Sequence, residues 1–229
     1  MRRLGWHLRE LTGLVLKTCC PLCQRSANQA FCLDCSRRLH RCQLAPAAQW
    51  QPGTLPVFAW GSYSGSLKRA IACLKYENNP QLARPLAHWL AQSWLSHSRP
   101  GRLTVVPIPI HVSKRKQRGF NQADLLAESF CEFSRLPLER QGLERSQATT
   151  AQFTLSAAER EQNLANAFTP GPAFRKKPPA SPVLLLDDIY TTGATARSAA
   201  QTLRQHGIRV YGVAVVARTM SYLPNLERS

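Results

Sequence analysis

Acid is scarce in this chain. Only 13 Asp and Glu stand against 30 Lys and Arg in 229 residues, a formal charge of +17, with a pI near 10.3. So unbalanced a surface favours polyanionic partners, either nucleic acid or a heavily phosphorylated small molecule. A basic surface with no specific ligand is the plainer alternative. Lys114-Arg115-Lys116 and Arg175-Lys176-Lys177 are the tight clusters, each readable as a solvated loop or as a binding patch. Long apolar runs are missing as well, so no membrane span is expected. An export signal is missing: in "MRRLGWHLRELTGLVLK" the apolar run is short, and Arg9 and Glu10 interrupt it. That stretch reads as an amphipathic helix with Leu4, Leu8, Leu11 and Val15 on one face, and the protein as cytoplasmic. There is no G-x4-G-K-[ST] loop, which excludes a P-loop nucleotidase, and no G-x-G-x-x-G after a strand, which argues against a dinucleotide fold. No internal repeat is present.

Cysteine, by contrast, is concentrated. Six of the eight cysteines fall between Cys19 and Cys42, in "CCPLCQRSANQAFCLDCSRRLHRC". The spacing is Cys20-x2-Cys23, then Cys32-x2-Cys35. Two residues between thiolates let one knuckle present both sulfurs to a tetrahedral ion, and two knuckles complete a zinc site. Disulfides fit poorly with a chain lacking an export signal. A site closed by four thiolates leaves no coordination position open, so the expected role of Zn2+ is structural; presenting a surface to nucleic acid is its other use. Cys19 and Cys42 remain possible substitutes for a ligand. Cys73 and Cys131 lie in apolar helical patterns and read as buried thiols.

The pattern divides the chain into an N-terminal helix and zinc ribbon over 1–45, a Pro- and Gly-bearing linker over 46–56, and a larger domain over 57–229. In the larger domain strands alternate with helices. "PVFAWGSYSG", "LTVVPIPI", Val183–Leu186 and "IRVYGVAVVA" are the strands. The helices are "SLKRAIACLKY", then "QLARPLAHWLAQSWLS" with Leu82, Leu86, Leu90 and Trp94 aligned, then "NQADLLAESFCEFSRL" with Leu125, Leu126, Ser129 and Phe133 inward, and Ala194–His206, stopped by Gly207. Thr169–Pro182, with five prolines, reads as a surface loop. The fold class is therefore α/β: a small four-cysteine head, then a mostly parallel sheet covered by helices. In such sheets ligands gather at the carboxyl ends of the strands.

One strand end stands out. "VLLLDDIYTTGAT" (Val183–Thr195) runs four apolar residues into paired aspartates and then a hydroxyl-rich turn. Asp187 and Asp188 are expected to emerge where the sheet opens to ligand. Gly193 permits a tight turn; Thr191, Thr192 and Thr195 offer hydroxyls, and the amides at Gly193 and Ala194 open a helix N-terminus. That is a cradle for phosphate. Adjacent carboxylates repel a second phosphate but accept hydrogen bonds from vicinal hydroxyls. The ligand described is a ribose 5-phosphate.

The stretch resembles the phosphoribosyl-pyrophosphate (PRPP) signature of type I phosphoribosyltransferases, with Tyr190 where an aliphatic residue is usual. The whole chain is similar, more narrowly, to the ComF (GntX-like) family, which joins a cysteine-rich head to a phosphoribosyltransferase-like domain. "YSGSLKRAIACLKY", "VVPIPI", "RGFNQADLLAE" and "TTAQFTLSAAEREQNLANAF" carry that resemblance. Some relatives have further cysteine pairs after the second knuckle; here only Cys42 remains. The resemblance implies PRPP binding with Mg2+ and displacement of pyrophosphate from C1 by a nitrogen acceptor. It implies Asp187 and Asp188 on the ribose hydroxyls, and the turn from Thr191 through Thr192, Gly193 and Ala194 to Thr195 on the 5-phosphate. Lys75 and Arg118 become catalytic candidates as donors to the leaving diphosphate, and Arg160 and Asn163 match family positions too. It also implies a role in competence or in use of DNA as a nutrient, with single-stranded DNA and DNA-uptake or recombination proteins as partners. A protein that binds PRPP, a nucleotide or single-stranded DNA without transferring anything is the alternative it leaves open.

Overall fold

The computed structural model describes residues 18–98, 101–145 and 167–220. The expected N-terminal helix, Arg160 and Asn163 lie outside the described residues. Five strands form the central sheet in the order β3-β4-β9-β8-β5. These are β3 (Trp50–Gln51), β4 (Val57–Ser62), β5 (Thr104–Pro107), β8 (Val183–Tyr190) and β9 (Val210–Arg218). All pairings are parallel except β3 with β4.

The central strands are apolar on both faces because both faces are covered. Side chains alternate along a strand. Phe58, Trp60, Leu184 and Leu186 therefore enter one core cluster with helices Gly65–Tyr76, Ala83–His97 and Gln122–Ser134. Val57, Ala59, Val183 and Leu185 enter the other, with helix Ala194–Gln205 and the hairpin of β6 (Leu143–Arg145) and β7 (Phe168–Pro170). Leu82, Leu86, Leu90 and Trp94 are all buried, as their spacing requires. Trp94 meets Phe58 edge-on at 5.1 Å and Trp50 at 5.3 Å between centroids.

Helix Gln122–Ser134 buries Leu126 and packs Leu125 against the core as expected, but Phe133 does not turn inward. Gln122, Ala123, Leu126, Ala127, Phe130 and Cys131 are buried, whereas Phe133 is 42% exposed. The small Ala123 and Ala127 let the helix approach its neighbours closely, and that packing outweighs the burial of one more phenyl ring.

The proline-bearing segments are more ordered than their composition suggests. Within 46–56 the chain forms a short helix, Pro46–Gln49, and edge strand β3. Within Thr169–Pro182 it completes β7 and adds helix Pro172–Lys176, which buries Phe174. In both helices proline opens the first turn, where its missing N–H has no intrahelical partner to lose. Buried Gln49 donates to Leu44 O (3.3 Å) and accepts from Ser93 Oγ (2.8 Å). Arg218, at the end of β9, is 2% exposed; its guanidinium donates to Gln51 Oε1 and to Ala48 O, each at 2.8 Å.

The head consists of β1 (Thr18–Cys19) paired antiparallel with β2 (Ser26–Ala27), then helix Leu33–His40. It docks through stacked rings: Phe31 on Trp89 at 5.9 Å, and Trp89 on Trp60 at 5.3 Å.

Candidate functional site

Strand β8 does not stop at its aspartates. Its pairing with β5 ends at Pro107 opposite Leu186, while its pairing with β9 continues to Tyr190 opposite Arg218. Beyond Leu186 one flank of the strand is open. Because Asp187 and Asp188 are consecutive strand residues, they leave the backbone toward opposite faces. The sequence reading placed both past the strand end and on the same ligand; the structure gives them different neighbours.

Asp188 faces the three-helix side and is 2% exposed. One oxygen is ion-paired with Lys75 Nζ, from the last turn of helix Gly65–Tyr76. The other accepts from Gln122 Nε2 at 3.0 Å. Gln122 Oε1 accepts in turn from Arg118, whose guanidinium lies 5.2 Å from the Tyr76 ring centroid. Lys75 and Arg118 thus join Asp188 in one polar network, as neighbours of an acid first and of any ligand second.

Asp187 faces the other side and is half-buried. Burial holds its carboxyl well above the usual carboxylate range, and the adjacent Asp188 charge adds to this. The Asp188 N–H, donating to Asp187 Oδ1 at 2.8 Å, and the Lys75 charge only partly oppose it. Next comes the turn. Gly193 takes a left-handed φ of 76° and opens helix Ala194–Gln205. A hollow of about 50 Å³ lies here, lined by Asp187, Thr191, Thr192, Gly193, Ala194 and Thr195 among others. The turn leads into a helix N-terminus, where the Ala194 N–H donates to Thr192 Oγ1 at 3.4 Å; helix ends of this kind favour negative charge. The walls of the hollow are braced: Arg197 donates to Thr192 O at 2.6 Å, and Thr219 Oγ1 to Thr191 O at 3.3 Å. Tyr190 packs against the turn so closely that a Cβ on Gly193 would overlap its ring.

Two residues of this region escaped the sequence reading as individuals. Gln122 lay inside a quoted motif, yet nothing in the sequence couples it to Asp188. Arg145, in "LER", reads as an ordinary surface base. In the structure it stands near Asp187, and burial lowers its pKa while the Asp187 charge opposes that shift. It lies 5.4 Å from the Phe168 ring centroid and has no hydrogen-bond or ion-pair partner among the described residues. With Arg115, Arg140, Asn121 and Asp124 it lines a cavity of about 560 Å³ beside the loop after β5. Burial raises the Asp124 carboxyl, against the pull of Arg115 and Arg140.

The four predicted ligand cysteines converge. The Sγ atoms of Cys20, Cys23, Cys32 and Cys35 all lie within 4.8 Å of one another, and Cys23 and Cys32 are 3.5 Å apart. Tetrahedral Zn–S bonds of about 2.3 Å place sulfurs about 3.8 Å apart, so this group could hold a zinc ion. The Cys35 backbone lowers the Cys32 thiol to about 7, while burial pushes Cys35 up. Four clustered thiols ionise together only around a cation. Cys19 is exposed and outside the group. Cys42 is outside it too, its thiol directed at Arg38 O (3.6 Å) and Ser64 O (3.7 Å).

An α/β protein with a mostly parallel sheet, an acidic strand running into a hydroxyl-rich turn, and a four-cysteine head is the class defined here. Comparison with known proteins gives it relatives. The chain is 28% identical over 218 residues to "Competence protein F" of Haemophilus influenzae, covering 91% of this chain and 95% of that protein. It is 29% identical over 232 residues to "DNA utilization protein YhgH" of Salmonella typhi, covering 95% and 97%. It is a homologue of these competence and DNA-utilization proteins along nearly its whole length, as the resemblance to the ComF family implies. No family model matches the chain. Among solved structures, adenine phosphoribosyltransferase from Leishmania tarentolae is similar at a TM-score of 0.41 and 13% identity, over 83% of this chain and 89% of that one. No helix among the described residues is long and apolar enough to cross a membrane.

Proposed function

We propose that the protein binds PRPP, or a related ribose 5-phosphate, at the carboxyl end of β8, and that this binding serves the use of DNA, the role its relatives' names carry. The observation that supports this most is the placing of Asp187 against the hollow of the Thr191–Thr195 turn, on one face of one strand. The 5-phosphate takes the turn's amides and hydroxyls. Asp187, held against its own ionisation by burial, gains when hydroxyls donate to it or a cation approaches. Asp187 is accordingly the residue that fits Mg2+, which when bound neutralises the diphosphate. Asp188, already satisfied by Lys75 and Gln122, anchors the strand beneath.

In the transfer reading, the C1–O bond to diphosphate breaks with its electron pair leaving on oxygen, and a nitrogen nucleophile forms the new bond to C1. Positive charge grows on the ribose as this happens. Arg145, near Asp187 and with its guanidinium unpaired among the described residues, is the donor best placed for the departing diphosphate. Lys75 is turned to Asp188, and Arg118 to Gln122 and Tyr76. A second reading, binding without transfer, is supported by the Tyr190 ring packed on Gly193, which narrows the hollow to about 50 Å³.

Calorimetry with ribose 5-phosphate and with PRPP plus Mg2+, followed by pyrophosphate release with a panel of nitrogen bases, tests both. Binding lost in Asp187→Asn supports the site. Release with one acceptor selects transfer, and binding with no release selects the second reading. Undiminished PRPP affinity in Asp187→Asn removes the proposal.

A further inference from the structure

The opposite end of the sheet carries a second concentration of positive charge. A cavity of about 750 Å³ opens at the amino ends of the strands, with Arg102, Arg135 and Arg209 at its rim and Leu103, Pro137 and Pro182 among its apolar lining. No acidic residue is among the described residues that line it. In this it differs from the cavity at the carboxyl end, where Asp124 and Glu144 stand among the arginines. We propose that it is a second anion site, which takes two or three neighbouring phosphates carried on a nucleoside, supplied by a free nucleotide or by a single strand.

Three observations carry this. First, the guanidinium groups are little committed: among the described residues those of Arg102 and Arg135 have no hydrogen-bond or ion-pair partner, and that of Arg209 makes one hydrogen bond, to Ala180 O at 2.9 Å. Each guanidinium offers a planar fork that matches two phosphate oxygens. Second, Arg135 caps helix Gln122–Ser134 with a left-handed φ of 61°. A glycine fits that position without strain, and a residue with a Cβ is strained there. Third, the walls are fixed before any ligand arrives. Thr104 N–H donates to Pro182 O (3.0 Å), Val105 N–H to Pro137 O (2.8 Å) and Val183 N–H to Arg209 O (2.8 Å). The Thr104 and Ser181 hydroxyls are 2.7 Å apart. A preformed apolar surface under three cations suits a flat base with its phosphates at the rim. The site is independent of the one at Asp187, four residues and about 13 Å along β8 from Val183.

The test uses the full-length protein with Arg102→Ser combined with Arg135→Gly, the second change being compatible with the left-handed backbone. Binding of ATP without magnesium, and of a fluorescein-labelled short oligothymidylate, is measured across salt concentrations. About tenfold weaker binding of at least one probe is expected. For the strand, the slope of log affinity against log salt should shrink by about 1.4, at about 0.7 per lost phosphate contact. Loss for ATP alone assigns the site to free nucleotides, and loss for the oligonucleotide alone to strands. Arg102→Ser by itself repeats the test without touching the helix end. Ribose 5-phosphate affinity should be unchanged throughout. Equal affinities in variant and parent, or no binding of either probe at low salt, overturn the proposal.

Discussion

Replacing Asp188 by Asn tests how the site is supported. The side chain changes little in shape but loses its charge, and the Lys75 ammonium is left nearly enclosed: the side chains are 15% and 4% exposed in the pair. Removing one partner of a buried ion pair costs about 3–5 kcal/mol. Lys75 retains some solvent, which places this pair near about 3 kcal/mol. For a chain of this size each kcal/mol moves the melting temperature by about 2–4 °C, so a drop of about 6–12 °C is expected at neutral pH. Lys75→Met should cost a comparable amount, because it strands Asp188. The double variant should cost at least about 2 kcal/mol less than the sum, since neither charge is then left alone. Urea melts of the four proteins, read by circular dichroism, give the coupling. Single variants that each cost under about 1 kcal/mol and add without coupling refute the anchoring role of Asp188 and return it to the ligand.

Asp187→Asn should behave in the opposite sense. A carboxyl whose folded pKa is raised favours the folded state below its unfolded pKa, and that advantage is lost as pH rises through the folded value. At pH 7–8 the variant should therefore melt higher than the parent, with the gain shrinking toward pH 4; a lower melting temperature at pH 8 contradicts the assigned environment. Gly193→Ala should destabilise by about 1–3 kcal/mol through its left-handed φ of 76° and the overlap with Tyr190. Tyr190→Ala in the same chain should restore part of the loss, and equal costs in both backgrounds dismiss the overlap. Metal analysis should find about one zinc per chain, lost with chelator together with several degrees of thermal stability. A metal-free protein of unchanged stability rejects the zinc reading.

The strand and helix pattern was legible because burial on both faces writes itself as unbroken apolar runs, as in Val183–Leu186, and as aligned leucines, as at Leu82, Leu86 and Leu90. The four cysteines were legible because their ligand geometry is local. Gln122 and Arg145 were not, since a glutamine and an arginine acquire meaning only when another element is placed opposite them. The separate surroundings of the two aspartates were not legible either: DD looks like a pair in print, yet on a pleated backbone it is two residues back to back. Prolines misled over 46–56 and Thr169–Pro182 because the same residue that breaks a helix interior also begins a helix well.

The Arg218 side chain ties the last strand of the sheet to the segment that precedes β4. Its guanidinium is inside the protein, and its hydrogen-bonding partners come from residues 48 and 51, ahead of the first parallel strand. Trimming the chain back to Val57 would strip that cation of its acceptors and lay bare the rings of Phe58 and Trp94. The cysteine-rich end and the sheet should consequently melt in a single calorimetric transition, and a fragment cut at the apparent boundary should be insoluble.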